Sequence, residues 1–340
     1  MIDPSLPFID LHRHLDGNVR LRTILELAEQ HGIPLPATDE EGLRPFVQVT
    51  GPQPGVMAFL EKFRYMVGVL ADYEACHRVA YENVLDAHQE GLDYVELRFS
   101  PLFMAQPHRL DPHGVVEAVI DGVEAGRKET GMKVNLIGIL SRTYGQELAY
   151  QELDALLAFA DHLVAIDLAG DEANYPGEWF TDHLQRARQN GLHLTIHAGE
   201  SAGPRSVWQA VQELGAERLG HAVHAVEDPY LMEFLAQKAI GIEVNLTSNV
   251  QTSTVSSYAA HPLRQFLEKG LLATINTDDP GISGIDLRYE YEVAAPEAGL
   301  SAEQIAQAQR NALEIAFLTP KEKEEIMALK RKGDEGAVFS

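Results

Sequence analysis

The chain of 340 residues contains one cysteine, Cys76. A single thiol closes no intramolecular disulfide and builds no zinc site from several thiolates, so the reducing cytosol is the expected compartment. No apolar run approaches the roughly 18 residues that span a bilayer. Nothing resembling the basic and then apolar stretch of a secretory signal precedes the first strand-like run, which begins near Pro7. Basic residues are also scarce: Lys and Arg number 27 against 51 Asp and Glu, a net charge of −24. That balance argues against nucleic-acid phosphates and anionic membranes as partners and favours a neutral or cationic small molecule.

What is present is a recurrence. Short runs rich in Val, Ile and Leu alternate with longer segments of helical periodicity, the pattern of parallel strands joined by crossover helices. Eight such runs cover residues 8–12, 94–99, 134–140, 164–168, 193–197, 218–222, 241–246 and 272–276. They predict an α/β chain folded as one domain over residues 1–340, a closed (β/α)8 TIM barrel, with an open doubly wound sheet as the alternative. The longest interval, after the first run, predicts a helical insertion at about residues 20–90. It begins with an amphipathic helix near 23–31 and carries Phe59, Phe63, Tyr65 and Met66. An insertion there lies on the rim that carries a barrel's active site, so it serves either as a lid or as a helical subdomain that only packs. The charged segment from about 320 to 340 reads as a solvated helix with a frayed end.

Unusual residues gather where the predicted strands finish, which in this architecture is the catalytic end. The first strand finishes in His12, His14 and Asp16. Alternate residues of a strand share a face, so the two imidazoles lie about 7 Å apart and aim the same way. His197 offers a third imidazole, and Asp278 a carboxylate from the strand that adjoins the first once the barrel closes. Three histidines and an aspartate suit a borderline cation such as zinc, with iron or manganese as alternatives. Four protein ligands would need a five-coordinate ion to keep a water bound. His193 lies four residues before His197, about 13 Å along the strand, and is assigned a structural role at the opposite end.

Hydrolysis at such an ion also needs a proton acceptor for water and a donor for the substrate, which His221, Asp279 and Glu200 can supply. Singly they read as a core histidine, a helix cap and a loop carboxylate; together at one barrel end they point to chemistry. Asp278 and Asp279 can share a site only if the strand ends between them, and Pro280 marks such an exit. Gly199 permits the turn that brings Glu200 back toward His197.

The segments Leu-His-Arg-His-Leu-Asp-Gly at 11–17, Tyr-Val-Glu-Leu-Arg-Phe-Ser-Pro at 94–101, Asp-Leu-Ala-Gly-Asp-Glu at 167–172, His-Ala-Gly-Glu at 197–200, Gly-His-Ala at 220–222 and Asn-Thr-Asp-Asp-Pro at 276–280 together resemble the adenosine deaminase family. The likeness runs from residue 6 to about 318 and is nearest to bacterial members. It implies one zinc per subunit, held by His12, His14, His197 and Asp278. It further implies that Glu200 protonates the purine ring nitrogen beside the reacting carbon, while His221 and Asp279 position and deprotonate the attacking water. Asp16 would accept the ribose primary hydroxyl, the Gly170 amide would bond a ring nitrogen, and His14 and Asp279 would also touch the substrate.

The implied reaction converts adenosine, and 2′-deoxyadenosine, to inosine and ammonia in purine salvage. Relatives that act on adenine or another 6-aminopurine are the alternative. Asp16 is the discriminator, since base-acting and futalosine-type members tend to carry Glu there. A binuclear amidohydrolase is disfavoured because residues 164–172 contain no lysine, and a cysteine-ligated deaminase is excluded by the lone cysteine. A catalytically dead binding barrel should have lost one of the seven catalytic positions, all of which are present. Two departures from the family pattern stand out: Ala222, where many members have glycine, and Glu243-Val-Asn245-Leu-Thr in the seventh strand. Phe59, Phe63, Tyr65 and Met66 resemble the family's apolar gate, a spacing that a packed helix face explains equally well.

Overall fold

The computed structural model describes residues 2–337. Eight strands form one sheet in sequence order: β1 (Ile9–His14), β2 (Tyr94–Phe99), β3 (Lys133–Ser141), β4 (Ala165–Ala169), β5 (His193–Ala198), β6 (Arg218–His221), β7 (Gly241–Val244) and β8 (Leu272–Ile275). Each pairs in parallel with the next. The seam between β8 and β1 is joined just past β8: Asp278 N donates to His12 O and His14 N to Asp278 O, both at 2.8 Å. These bonds set aside the open sheet and put Asp278 directly against the two histidines of β1.

β2 ends at the expected residue, β3, β4, β5, β6 and β8 end one residue away from the expectation, and β1 and β7 two residues away. β1 continues to His14. β6 stops at His221, because His221 and Ala222 take φ of 63° and 51°, the left-handed region that costs a side chain about 1–2 kcal/mol. β7 stops at Val244, and a short helix, Leu246–Gln251, follows.

The barrel interior is unusually polar. Glu96, Arg98, Asp167, Thr195, Arg218, Glu243 and Thr274 are buried within it, where branched apolar residues usually predominate. Buried charge is tolerable only when paired. Here Arg218 donates to Glu96 and Glu243, and Arg98 to Asp167 and Glu243, at 2.5–2.8 Å.

The insertion consists of helices Leu21–His31, Glu40–Val47, Val56–Leu60 and Arg64–Val67, followed by the crossover helix Tyr73–Gln89. At the opposite end, helix Pro320–Ala337 is more than a solvated appendage. Ile326 is buried in a cluster with Ile9, Leu11 and Tyr94, and Lys330 pairs with Asp93 at 2.9 Å. An isoleucine buried this way contributes about 1.5–3 kcal/mol and fixes the helix against the bottom of the barrel. The expected frayed end at 338–340 lies outside the described residues. His193 sits at that same end, half exposed, paired with Glu217 at 2.8 Å and stacked on Phe317, as its position on β5 predicted.

Candidate active site

At the C-terminal end of the barrel, His12, His14, His197 and His221 form one cluster, with ring centroids 4.6–5.5 Å apart along its close pairs. Asp278 lies among them: its Oδ1 is 3.1 Å from His12 Nε2 and 3.3 Å from His14 Nε2, and its Oδ2 is 3.7 Å from His221 Nε2. β8 ends at Ile275, before both aspartates, and Asp278 meets β1 only through an isolated bridge to Arg13. A left-handed φ of 63° at Asp278 turns the chain there, so that Asp279, at the head of the short helix Pro280–Ser283 but making no side-chain capping bond, also lies at the cluster. Gly17 adjoins Asp279, and a Cβ at Gly17 would overlap that carboxylate. The Asp-Gly of the first motif thus has a steric reason.

Two imidazoles are held by carboxylates. His12 Nδ1 is 2.7 Å from Glu243 Oε2, and His197 Nδ1 is 3.0 Å from Asp167 Oδ1. Burial alone would push Glu243 up, but Arg98 and Arg218 outweigh it and hold its carboxyl well below the usual range; Asp167 is likewise lowered by His197 and Arg98 against its burial. Both carboxylates are therefore ionised and can only accept. The protons of His12 and His197 reside on Nδ1, leaving an Nε2 lone pair on each directed into the cluster. Arg98 ties the two supports together, donating from Nη1 to Asp167 and from Nη2 to Glu243.

This is a donor set that fits a divalent cation. His12 Nε2 is buried without a hydrogen-bond partner. Ligating atoms of His12, His197, His221 and Asp278 lie within 4.8 Å of one another, and so do those of His14, Asp278 and Asp279. Asp278 belongs to both groups. Of the expected ligands, His12, His197 and Asp278 converge most closely, with His14 joining through Asp278; His221 also comes within reach.

Glu172, in the loop after β4, organises the loop after β5 that carries Glu200. Glu172 accepts the backbone amides of Gly199, Glu200, Ser201 and Ala202 and the Ser206 hydroxyl, at 2.5–3.1 Å. Gly199, at φ 74°, makes the turn. Glu200 is carried inward to within 3.8 Å of His221. Burial, then the charges of Asp278 and Glu172, push Glu200 up to about 8. It is a neutral carboxylic acid at pH 7, able to donate. Burial and Asp278 also raise Asp279, while Asp278 is held well below its usual value by His221, His12 and His14 against its own burial.

A cavity of about 210 Å³ opens over this floor, far more than a water needs. His14, Asp16, Gly170, Glu200 and Asp279 all line it. Asp16 Oδ2 accepts from Ser100 N at 3.1 Å, and its Oδ1 is buried with no partner. Gly170 has φ 105°, and a Cβ there would strike Thr143 Oγ1 at 2.5 Å. Of the four aromatic and apolar residues expected as a gate, Phe59 and Phe63 line the cavity beside Leu60 and Phe103. Tyr65 instead packs on Phe46, and Met66 is buried near Gly281.

Sequence reasoning missed Asp167 and Arg98, and it set Glu243 aside as an oddity. A carboxylate within an apolar run was the available signal, because a buried charge demands a partner. Asn249, 2.9 Å from His221 Nδ1, gave no such signal.

Residues 7–330 match the model of the family described as Adenosine deaminase. An adenosine deaminase of Vibrio parahaemolyticus is 59% identical over 326 residues, 96% of this chain and 98% of that protein. Among solved structures, an adenine deaminase from Arthrobacter aurescens superposes with a TM-score of 0.89 at 25% identity, covering 97% and 99% of the two chains. A zinc-bound amidohydrolase from Burkholderia ambifaria gives 0.88 at 25% identity, covering 99% and 92%. With its closed barrel, its histidine and aspartate cluster and this likeness over nearly its whole length, the chain belongs to the adenosine deaminase family.

Proposed function

We propose that the chain hydrolytically deaminates adenosine, and 2′-deoxyadenosine, to inosine and ammonia, and that it works as one catalytic unit of barrel and insertion. The observation that carries this reading is the convergence of the buried Glu200, of His197 with its inward lone pair, and of Asp16 with an unpartnered carboxylate oxygen on one cavity, with His12 in contact with His197. The high identity to proteins named for this activity supports adenosine over adenine. So does Asp16, which is suited to accept a sugar hydroxyl.

His12, His14, His197 and Asp278 would hold the cation, and Zn2+ suits three imidazoles and a carboxylate. When bound, such a cation supplies Lewis acidity that brings the pKa of a coordinated water to about 7. The protein's own groups do the rest. Glu200 donates its proton to the purine ring nitrogen beside the amino-bearing carbon, making that carbon electrophilic. Asp279 and His221 flank the water that attacks it. The proton released by that water passes to the amino nitrogen, the C–N bond of the tetrahedral carbon breaks and ammonia leaves, and the proton of the hydroxyl left on that carbon restores the Glu200 carboxyl. The Gly170 amide, His14 and Asp279 contact the purine, and the apolar side chains of Phe59 and Phe63 cover the nucleoside. Recovery of purines for reuse, in a reducing compartment compatible with the lone buried Cys76, is the setting we assign.

The test is ultraviolet monitoring of metal-replete protein with adenosine, 2′-deoxyadenosine and adenine in parallel. Rapid spectral change with the two nucleosides and little with adenine is expected. Turnover of adenine alone would move the chain to the base-acting branch, and no turnover of any of them would reject the deaminase reading.

A further inference from the structure

His221 is gripped in a way opposite to His12 and His197. Its Nδ1 faces no carboxylate at hydrogen-bond distance; Glu200 Oε1 is 3.8 Å away. What it meets instead is the Asn249 side-chain amide at 2.9 Å, with Asn245 Nδ2 at 3.3 Å. An amide can present either its N–H or its oxygen, so the direction of this bond depends on what orients Asn249.

That orientation is set further out. Leu263 N lies 3.0 Å from His261 Nδ1. A main-chain N–H can only donate, so His261 Nδ1 must accept and the ring's proton sits on Nε2. His261 Nε2 is 3.1 Å from Asn249 Oδ1, and it therefore donates to that oxygen. With its oxygen so engaged, Asn249 turns its N–H2 toward His221, whose Nδ1 must supply a lone pair. The whole chain is buried, Asn249 completely and His261 at 3% exposure. Water does not compete for these bonds.

We infer that Asn249, oriented by His261, is a positioning residue that fixes His221 as the Nε2–H tautomer, so that His221 offers the reacting centre a proton donor and not a lone pair. One consequence follows for this site: His221 is removed from the metal-ligand set although its ring lies within reach of it, because a protonated Nε2 cannot coordinate. The tautomer assignment does not rest on the deaminase reading.

The experiment is histidine-selective 15N NMR on the zinc-loaded full chain, in which two-bond couplings report which ring nitrogen of each histidine carries the proton. In the unaltered protein, His221 is expected to be protonated at Nε2 only, whereas His12 and His197 are protonated at Nδ1. Asn249→Asp places an acceptor opposite Nδ1 and is expected to reverse the His221 pattern. It should also lower kcat by about 100-fold or more with KM little changed, since a mis-set tautomer alone has costs of that order or larger. A proton on Nδ1 of His221 in the unaltered protein overturns the inference whether or not the variant folds. So does an unchanged tautomer in Asn249→Asp. Absence of adenosine turnover combined with the expected 15N pattern would reject the proposed reaction while leaving the tautomer assignment intact.

Discussion

The barrel mouth uses the same side chain for two opposite purposes. On the cation-binding side of that division, His12 of β1 and His197 of β5 are backed by the ionised carboxylates of Glu243 and Asp167. On the proton-handling side, His221 of β6 is backed by the neutral amide of Asn249. A carboxylate behind a ring accepts a hydrogen bond from Nδ1–H, so that the Nε2 lone pair faces forward, and raises the ring's basicity. An amide N–H behind it does the reverse. The partner behind each ring, and not the histidine itself, thus divides cation binding from proton handling within one cavity.

The largest test of this division removes the acid from the proton-handling side. Glu200→Gln keeps shape and burial but cannot donate, so kcat should fall by about 10²–10⁴-fold while bound metal stays stoichiometric in elemental assay. Parallel loss of metal would mean that the two sides are not separable. Next comes the support of the other side. Glu243→Gln removes one of the two carboxylates paired with each of the buried Arg98 and Arg218, which should cost about 3–5 kcal/mol in denaturant unfolding and weaken metal binding by about 10–100-fold. An unfolding midpoint unchanged from the parent would refute the role given to this carboxylate.

A subtler probe is pH. Glu200 must be protonated to act, and its pKa is raised to about 8. The active form is therefore complete well below pH 8 and is lost as pH rises through that value, by about tenfold per unit above it. A kcat rising steadily from pH 7 to 9 would contradict the assignment. The smallest effect is expected at Ala222. It holds a left-handed φ of 51° next to His221, so Ala222→Gly relieves strain while loosening the unfolded chain, and the two should nearly cancel, within about 1 kcal/mol in thermal unfolding.

Most of this mouth was legible in the sequence, for a geometric reason. The barrel's catalytic residues sit at strand ends, and His12, His197, His221 and Asp278 each close or follow an apolar run whose period marks it as a strand. Asp16 was expected on the strand face of the histidines; β1 ends at His14, and Asp16 follows in the turn and lines the same cavity as His14. What stayed hidden depends on closure across strands. The bonds of Glu243 to His12 and of Asp167 to His197 join residues 231 and 30 positions apart, pairings that exist only once the barrel register is set. Asn249 was harder still. The run at 241–246 reads as strand, yet the chain leaves the sheet at Val244 and a helical turn brings Asn249 back under His221. The tail was misjudged for a similar reason, since its charges conceal Ile326, which with Lys330 docks it.

The most direct measurement compares the two kinds of imidazole by zinc titration of His197→Ala and His221→Ala. His197→Ala should lose tight binding, because a carboxylate-backed lone pair has gone, whereas His221→Ala should retain one tightly bound zinc per chain and lose turnover. Equal loss of zinc from both variants would refute the division between the two kinds of imidazole.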